Sequence, residues 1–224
     1  MSKRLTVRAV MAAVAVAGGL LVPAGGAVAD PTPPPGTEEP DLGGLLGGAI
    51  PLPPIGVDIS HSMYAANTQI RLNDLGLLFA DFKGGINLTT RSSGTEGITL
   101  EEQGFRMEAD LNHADPSSGY RLVLERDQEQ TGPLSTLTVA DGGGVEMLIH
   151  IPMRVSYVDK ATGKETVVGS TAPGRHATLR CADVKVFPAV NQPCSLRDPV
   201  TLLNAAGAER GALEIFDVLM NQSA

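Results

Sequence analysis

The stretch from Val145 to Tyr157 restricts the possible folds more than any other part of the chain. Val145, Met147, Ile149, Ile151, Met153, Val155 and Tyr157 occupy every second position, and Glu146, His150, Arg154 and Ser156 fall between them. A helix would scatter these apolar residues around its circumference, whereas a strand sorts them onto one face. Pro152 has no amide hydrogen to give to a ladder, so the strand must bend there or lie at an edge.

The same period recurs. Phe105, Met107, Ala109 and Leu111 are separated by Arg106, Glu108 and Asp110, and Tyr120, Leu122 and Leu124 alternate with Arg121, Val123 and Glu125. Turn-forming runs lie between the alternating stretches, at Asp115–Gly119, Asp141–Gly144 and Asp159–Lys164, and each suggests a hairpin. Further strands are expected at 86–90, 97–102, 134–140, 165–168 and 176–187. Ser60 to Phe82 and Leu213 to Met220 suit either a strand or a helix. Asp198-Pro199 followed by Val200 to Gly207 carries an N-cap, a first-turn Pro and a closing Gly, which suggests a short helix. No internal repeat is visible. The expected fold class is all-β: an antiparallel β-sandwich or barrel with one dry and one wet face, behind a disordered Pro/Gly-rich N-terminal segment.

That segment and what precedes it define the organisation. Residues 1–29 read as a secretory signal peptide, with Lys3, Arg4 and Arg8 before an uncharged apolar run and Ala27-Val28-Ala29 as a small-residue cleavage site. The apolar run is short for a bilayer span and no stop-transfer pattern follows, so no stable membrane insertion is expected once the signal is removed. Residues 30–56 hold eight Pro and six Gly among 27 positions, a composition with too little apolar surface to offset its ordering entropy. They are read as a disordered linker, although the apolar run Leu42 to Ile50 offers a docking element. Residues 57–224 form the single antiparallel β domain. Loss of residues 1–29 removes three basic and no acidic residues, taking the net charge from -8 to -11. Such a chain is repelled by nucleic acid and anionic lipid, so neither is expected as a partner.

The firmest chemical feature is Cys181 with Cys194, the only cysteines. In an exported chain this pair reads as a structural disulfide; a redox pair would be more closely spaced. The four His residues (His61, His113, His150 and His176) show no metal-ligand spacing and read as surface imidazoles, so no metal and no cofactor are expected. Asp58, Ser60 and His61 hold the residue types of a hydrolytic triad, but the strained Gly-x-Ser-x-Gly turn is absent. Glu101, Glu102, Glu125, Asp127 and Glu129 sit in polar contexts that suggest solvation rather than a glycosidase pair. A loose calcium site among Asp110, Asn112 and Asp115 has the residue types but no loop signature. There is no Trp, and Tyr120 and Tyr157 fall on the apolar faces of their strands, which argues for core positions and against sugar platforms. Met107, Met147 and Met153 also point inward, either filling gaps or lining an apolar pocket.

No catalytic residue is assigned. The expected function is that of a secreted, non-catalytic β domain with a binding or structural role outside the cell, its partner an unidentified protein or an apolar ligand. The alternatives are a β-barrel carrier of an apolar small molecule and a secreted hydrolase with an unrecognised site.

Overall fold

The structure is a computed structural model that describes residues 50, 52–94, 97–111, 119–140 and 144–223. The expected signal peptide (residues 1–29), most of the expected linker, and residues 95–96, 112–118 and 141–143 lie outside the described residues. The chain forms thirteen strands and, among the described residues, no helix. Three long strands come first: β1 (Asp58–Leu72), β2 (Gly76–Gly94) and β3 (Gly97–Asp110). Ten shorter ones follow: β4 (Tyr120–Arg126), β5 (Ser135–Val139), β6 (Val145–Ile151), β7 (Met153–Asp159), β8 (Glu165–Thr171), β9 (Ala177–Cys181), β10 (Gln192–Leu196), β11 (Val200–Leu203), β12 (Glu209–Ile215) and β13 (Asp217–Gln222).

All pairings are antiparallel, and they arrange the short strands in pairs that run on from one another. β4 leads into β5, β6 into β7, β8 into β9, β10 into β11, and β12 into β13. Each pair makes one course of the sheet beside the long strands. β3 holds β4 along its C-terminal half and β5 along its N-terminal half, and β1 likewise holds β12 and β13. The first and last courses meet at Met63–Met220 and Ile70–Leu213. The result is an eight-course, up-and-down closed barrel, which leaves no unpaired sheet edge among the described residues.

Every course is interrupted or bent near its middle. β1 bulges at Ala66-Asn67, where Asn67 takes φ 51°, and the bulge keeps Ala65 and Thr68 both facing inward. In β2 the register against β3 shifts at Asn87/Leu88 and again at Thr90/Ser92, and before that Gly84 packs tightly on β3. A Cβ on Gly84 would lie 2.0 Å from the Arg106 carbonyl oxygen, so no larger residue is tolerated there. The fifth course breaks at Pro152, which places the single alternating stretch of the sequence on two strands in different halves of the barrel. The eighth breaks at Phe216, whose buried ring meets Phe105 edge-on at 6.5 Å and fills the waist.

Inward faces match the alternation. Met147, Ile149, Ile151, Met153 and Val155 are completely buried, with Met107, Leu122 and Leu124. The expected helix after Pro199 is instead strand β11. Val200 and Leu202 face inward and pair with β12 and β8, so alternation overrides the capping signal. The packed domain also begins before Val57. Ile50 is buried in the core, Leu52 packs on it, and the Gly56 amide donates to the Thr90 carbonyl at 2.8 Å.

The two ends of the barrel differ. At one end the loop 182–191 folds across the opening and buries Val184, Phe187 and Ala189. It is stitched down by Val184 N–H to Val145 O (2.8 Å) and by Gln222 N–H to Ala189 O (2.7 Å). At its neck Cys181 and Cys194, directly opposite on β9 and β10, form a disulfide. At the other end four hairpins gather: β1–β2, β3–β4, β7–β8 and β11–β12.

Candidate functional site: the hairpin end of the barrel

The strand pleat decides what the candidate residues can do together. Asp58 and Ser60 point outward while His61 points inward, so the three cannot form a relay. Asp58 accepts a hydrogen bond from Thr89 instead. His61 is not a surface imidazole. It is buried against Phe187 in the plug, and its Nε2 accepts the Ala189 amide hydrogen at 3.1 Å. That bond leaves Nδ1 carrying the proton, buried and without a partner. Burial holds the pKa down at about 4, so the ring stays neutral.

His150 and His176 meet edge-on at 5.9 Å, and His150 Nδ1 lies 3.0 Å from the Thr178 hydroxyl. Burial lowers both pKa values, with His176 and Arg197 adding to the effect at His150. Among the described residues no group of three metal-ligating side chains occurs. Asp110 is engaged by Lys160 and, less strongly, by Arg121, which hold its carboxyl below the usual range. Asn112, His113 and Asp115 lie outside the described residues.

The carboxylates divide. Glu125 faces outward and joins Arg106 and Arg154 in a cross-strand charge row. Glu102 does the opposite. It continues the inward phase of Ile98 and Leu100, with the bulge at Gln103-Gly104 letting Phe105 face inward as well, and inside the barrel Arg126 Nε lies 2.9 Å from its Oε2. The approach is poorly angled, and neither Glu102 oxygen has a hydrogen-bond donor. Burial therefore outweighs the Arg126 charge and, with a smaller push from Glu101, raises the Glu102 pKa to about 7. Asp127 is also buried, held by the Glu129 amide (3.1 Å) and by the Gln130 side chain (2.8 Å), which in turn reaches the Thr171 carbonyl (2.7 Å). Glu125 and Asp127 are thus held by structural hydrogen bonds, and Glu102 only by the nearby charge of Arg126.

The remaining feature is the hairpin end itself. Tyr120 and Tyr157 have the inward phase of their strands but stand where the strands end, so they line the mouth, with Tyr157 half-buried against the core. Tyr120 is 45% exposed. The rings meet edge to face, with centroids 5.3 Å apart and planes at 79°. With Leu72, Leu75, Thr166 and Val168 they enclose a hollow of about 150 Å³. Leu72, itself buried, forms the floor. Asp74 and Arg210 form an ion pair on the rim, and Asn73 Nδ2 donates to the Glu209 carbonyl at 2.8 Å, locking two hairpins together. Larger hollows of about 450, 520 and 420 Å³ are grooves on the outer surface, lined mainly by outward-facing residues. The sequence signal for the mouth was the position of both tyrosines next to turn-forming runs.

No protein-family model matches the chain, and no curated protein matches it significantly. Among solved structures it is similar to DynF from the dynemicin biosynthesis pathway of Micromonospora chersina. The match has a TM-score of 0.56 and 10% sequence identity over 76% of this chain and 81% of DynF. At that identity the likeness concerns the fold alone.

Proposed function

We propose that the mature chain is an exported, non-catalytic binding module that takes a small apolar ligand at the hairpin end of its barrel. The observation that carries this reading is the open, mainly apolar mouth at one end, set against the plug at the other. Mouths of β-barrels are common ligand sites, because loops there vary on a rigid scaffold. The leader-like residues 1–29 and the disulfide favour a role outside the cell. The hydrolase alternative gains no support from the described residues, since His61 bonds a backbone amide and not a nucleophile. The likeness to DynF contributes a fold and no ligand.

A panel of short alcohols, alkanoates and monocyclic aromatics, added to the oxidised mature chain, tests the reading through thermal stability. At least one class raises the Tm of the wild type and of the plug-end variant Val186→Glu, but not of the mouth variant Leu75→Glu. Equal responses of the two variants, or no response from any class, would contradict it.

A second reading rests on the outer face. Tyr64, Leu77, Phe79, Ile215 and Leu219 are exposed there, Phe79 by 59%, around the β1 strand. Clustered apolar exposure of this kind suits a protein partner.

A further inference from the structure

We infer that the occupant of the mouth is a compact planar ring, a monocyclic aromatic carrying one oxygen substituent; the inference rests on the reading of the mouth as the binding site. Three observations narrow the ligand to this class. The first is depth. Leu72 closes the hollow from below, and Ile70 and Leu213 behind it are buried in a filled interior. A long alkyl chain would have to displace that packing, whereas a hollow of about 150 Å³ matches the size of cavity known to take benzene.

The second is the shape of the walls. Tyr120 and Tyr157 stand nearly perpendicular, forming a corner that offers one ring's face and the other's edge. A planar ring satisfies both at once by stacking on one and meeting the other edge-on. Leu75 and Val168 supply the aliphatic wall.

The third is polarity on one side only. Arg210 and Asp74 sit together at the rim, and Thr166 lines the hollow. A ring in the corner with its oxygen directed outward accepts a hydrogen bond from the guanidinium, and a hydroxyl there donates to the carboxylate. An unsubstituted ring would leave this side of the contact unused.

The test is an NMR titration of the oxidised mature chain with benzyl alcohol and, separately, with dodecanoate. With only three Tyr and five Phe and no Trp, the aromatic ring signals are few enough to follow individually. Benzyl alcohol shifts the Tyr120 and Tyr157 ring signals saturably, with a dissociation constant on the order of 1 mM for so small a ligand. Tyr64, on the outer face, does not move. Dodecanoate leaves all three unchanged. Tyr120→Ala removes an exposed ring, so the barrel spectrum persists while benzyl alcohol affinity falls about tenfold. Tyr64→Ala binds as the wild type does. If dodecanoate shifts the two mouth tyrosines and benzyl alcohol does not, the ring assignment fails while the mouth remains the site. If neither moves them, the mouth reading fails as well. Undiminished affinity in Tyr120→Ala overturns the seating in the tyrosine corner.

Discussion

Two buried ionisable groups on the barrel interior give opposite pH dependences, and single substitutions separate them. Glu102 titrates near 7 in the folded chain against a reference of 4.5. Between those values the folded state holds the proton that the unfolded state has released, so stability falls as pH rises from about 4.5 to 7. The shift corresponds to about 3 kcal/mol. His61 titrates near 4 against a reference of 6.5. In that window the unfolded state binds the proton and the folded state refuses it, so stability rises from about pH 4 to 6.5, again by about 3 kcal/mol. Both groups are almost wholly buried, so solvent screening removes little of either effect. In the wild type the two slopes oppose each other across roughly pH 4.5–6.5, and stability changes little there.

Glu102→Gln keeps the shape and removes the titration. Its stability rises by about 3 kcal/mol between pH 4 and 6.5, a Tm gain of roughly 10 °C for a domain of this size. The lowered pKa values of His150 and His176 add to this slope with the same sign. Loss of the Arg126 partner displaces the whole curve without tilting it. His61→Gln, whose amide oxygen can still accept the Ala189 N–H, tilts the other way, and its stability falls between pH 4.5 and 7. Urea midpoints at half-unit pH intervals measure both. A flat Glu102→Gln profile, or a His61→Gln profile that rises through this window, would refute the placement of these side chains inside the barrel.

Four further outcomes follow from packing. Reduction of the disulfide, or Cys181→Ser with Cys194→Ser, frees the loop that plugs one end and lowers stability by about 3 kcal/mol, read as a lower Tm in reductant; an unchanged Tm contradicts it. Gly84→Ala forces a Cβ against the Arg106 carbonyl and costs roughly 4 kcal/mol or more. In Gly104→Ala the added Cβ meets nothing nearer than Asn87 Nδ2 at 3.9 Å, and urea denaturation shows little change. Phe216→Ala empties the waist beside Phe105 and costs about 4 kcal/mol by the same measurement.

The barrel was legible in the sequence wherever alternation ran unbroken. Met147 to Val155 could be assigned to one inward face from spacing alone, and Pro152 correctly marked a bend. Closure of the sheet was not legible, because it depends on which strand lies beside β1, and only long-range register decides that. Glu102 shows the limit most clearly. Its neighbours Glu101 and Gln103 make it look solvated, although it continues the inward alternation of Ile98 and Leu100, and the bulge beside Gly104 that brings Phe105 inward as well leaves almost no local signature. His61 misled for a related reason. Its strand phase is inward, but the residues that bury it, Phe187 and Ala189, lie more than a hundred positions away. Tyr157 packs half-buried against the core as its phase implies, whereas Tyr120 has the same phase but stands exposed, since phase says which face a residue takes and not how near the end of the barrel it stands.

The closed barrel with one plugged and one open end underlies every statement about the site, and through-space proton contacts between the first and last courses test it most directly. In a nuclear Overhauser spectrum of residues 30–224 with the disulfide formed, β1 gives backbone contacts to β13 around Met63–Met220 and to β12 around Ile70–Leu213. Absence of both sets, with the β1–β2 contacts intact, would mean an open sheet, and neither a plugged interior nor a mouth would exist.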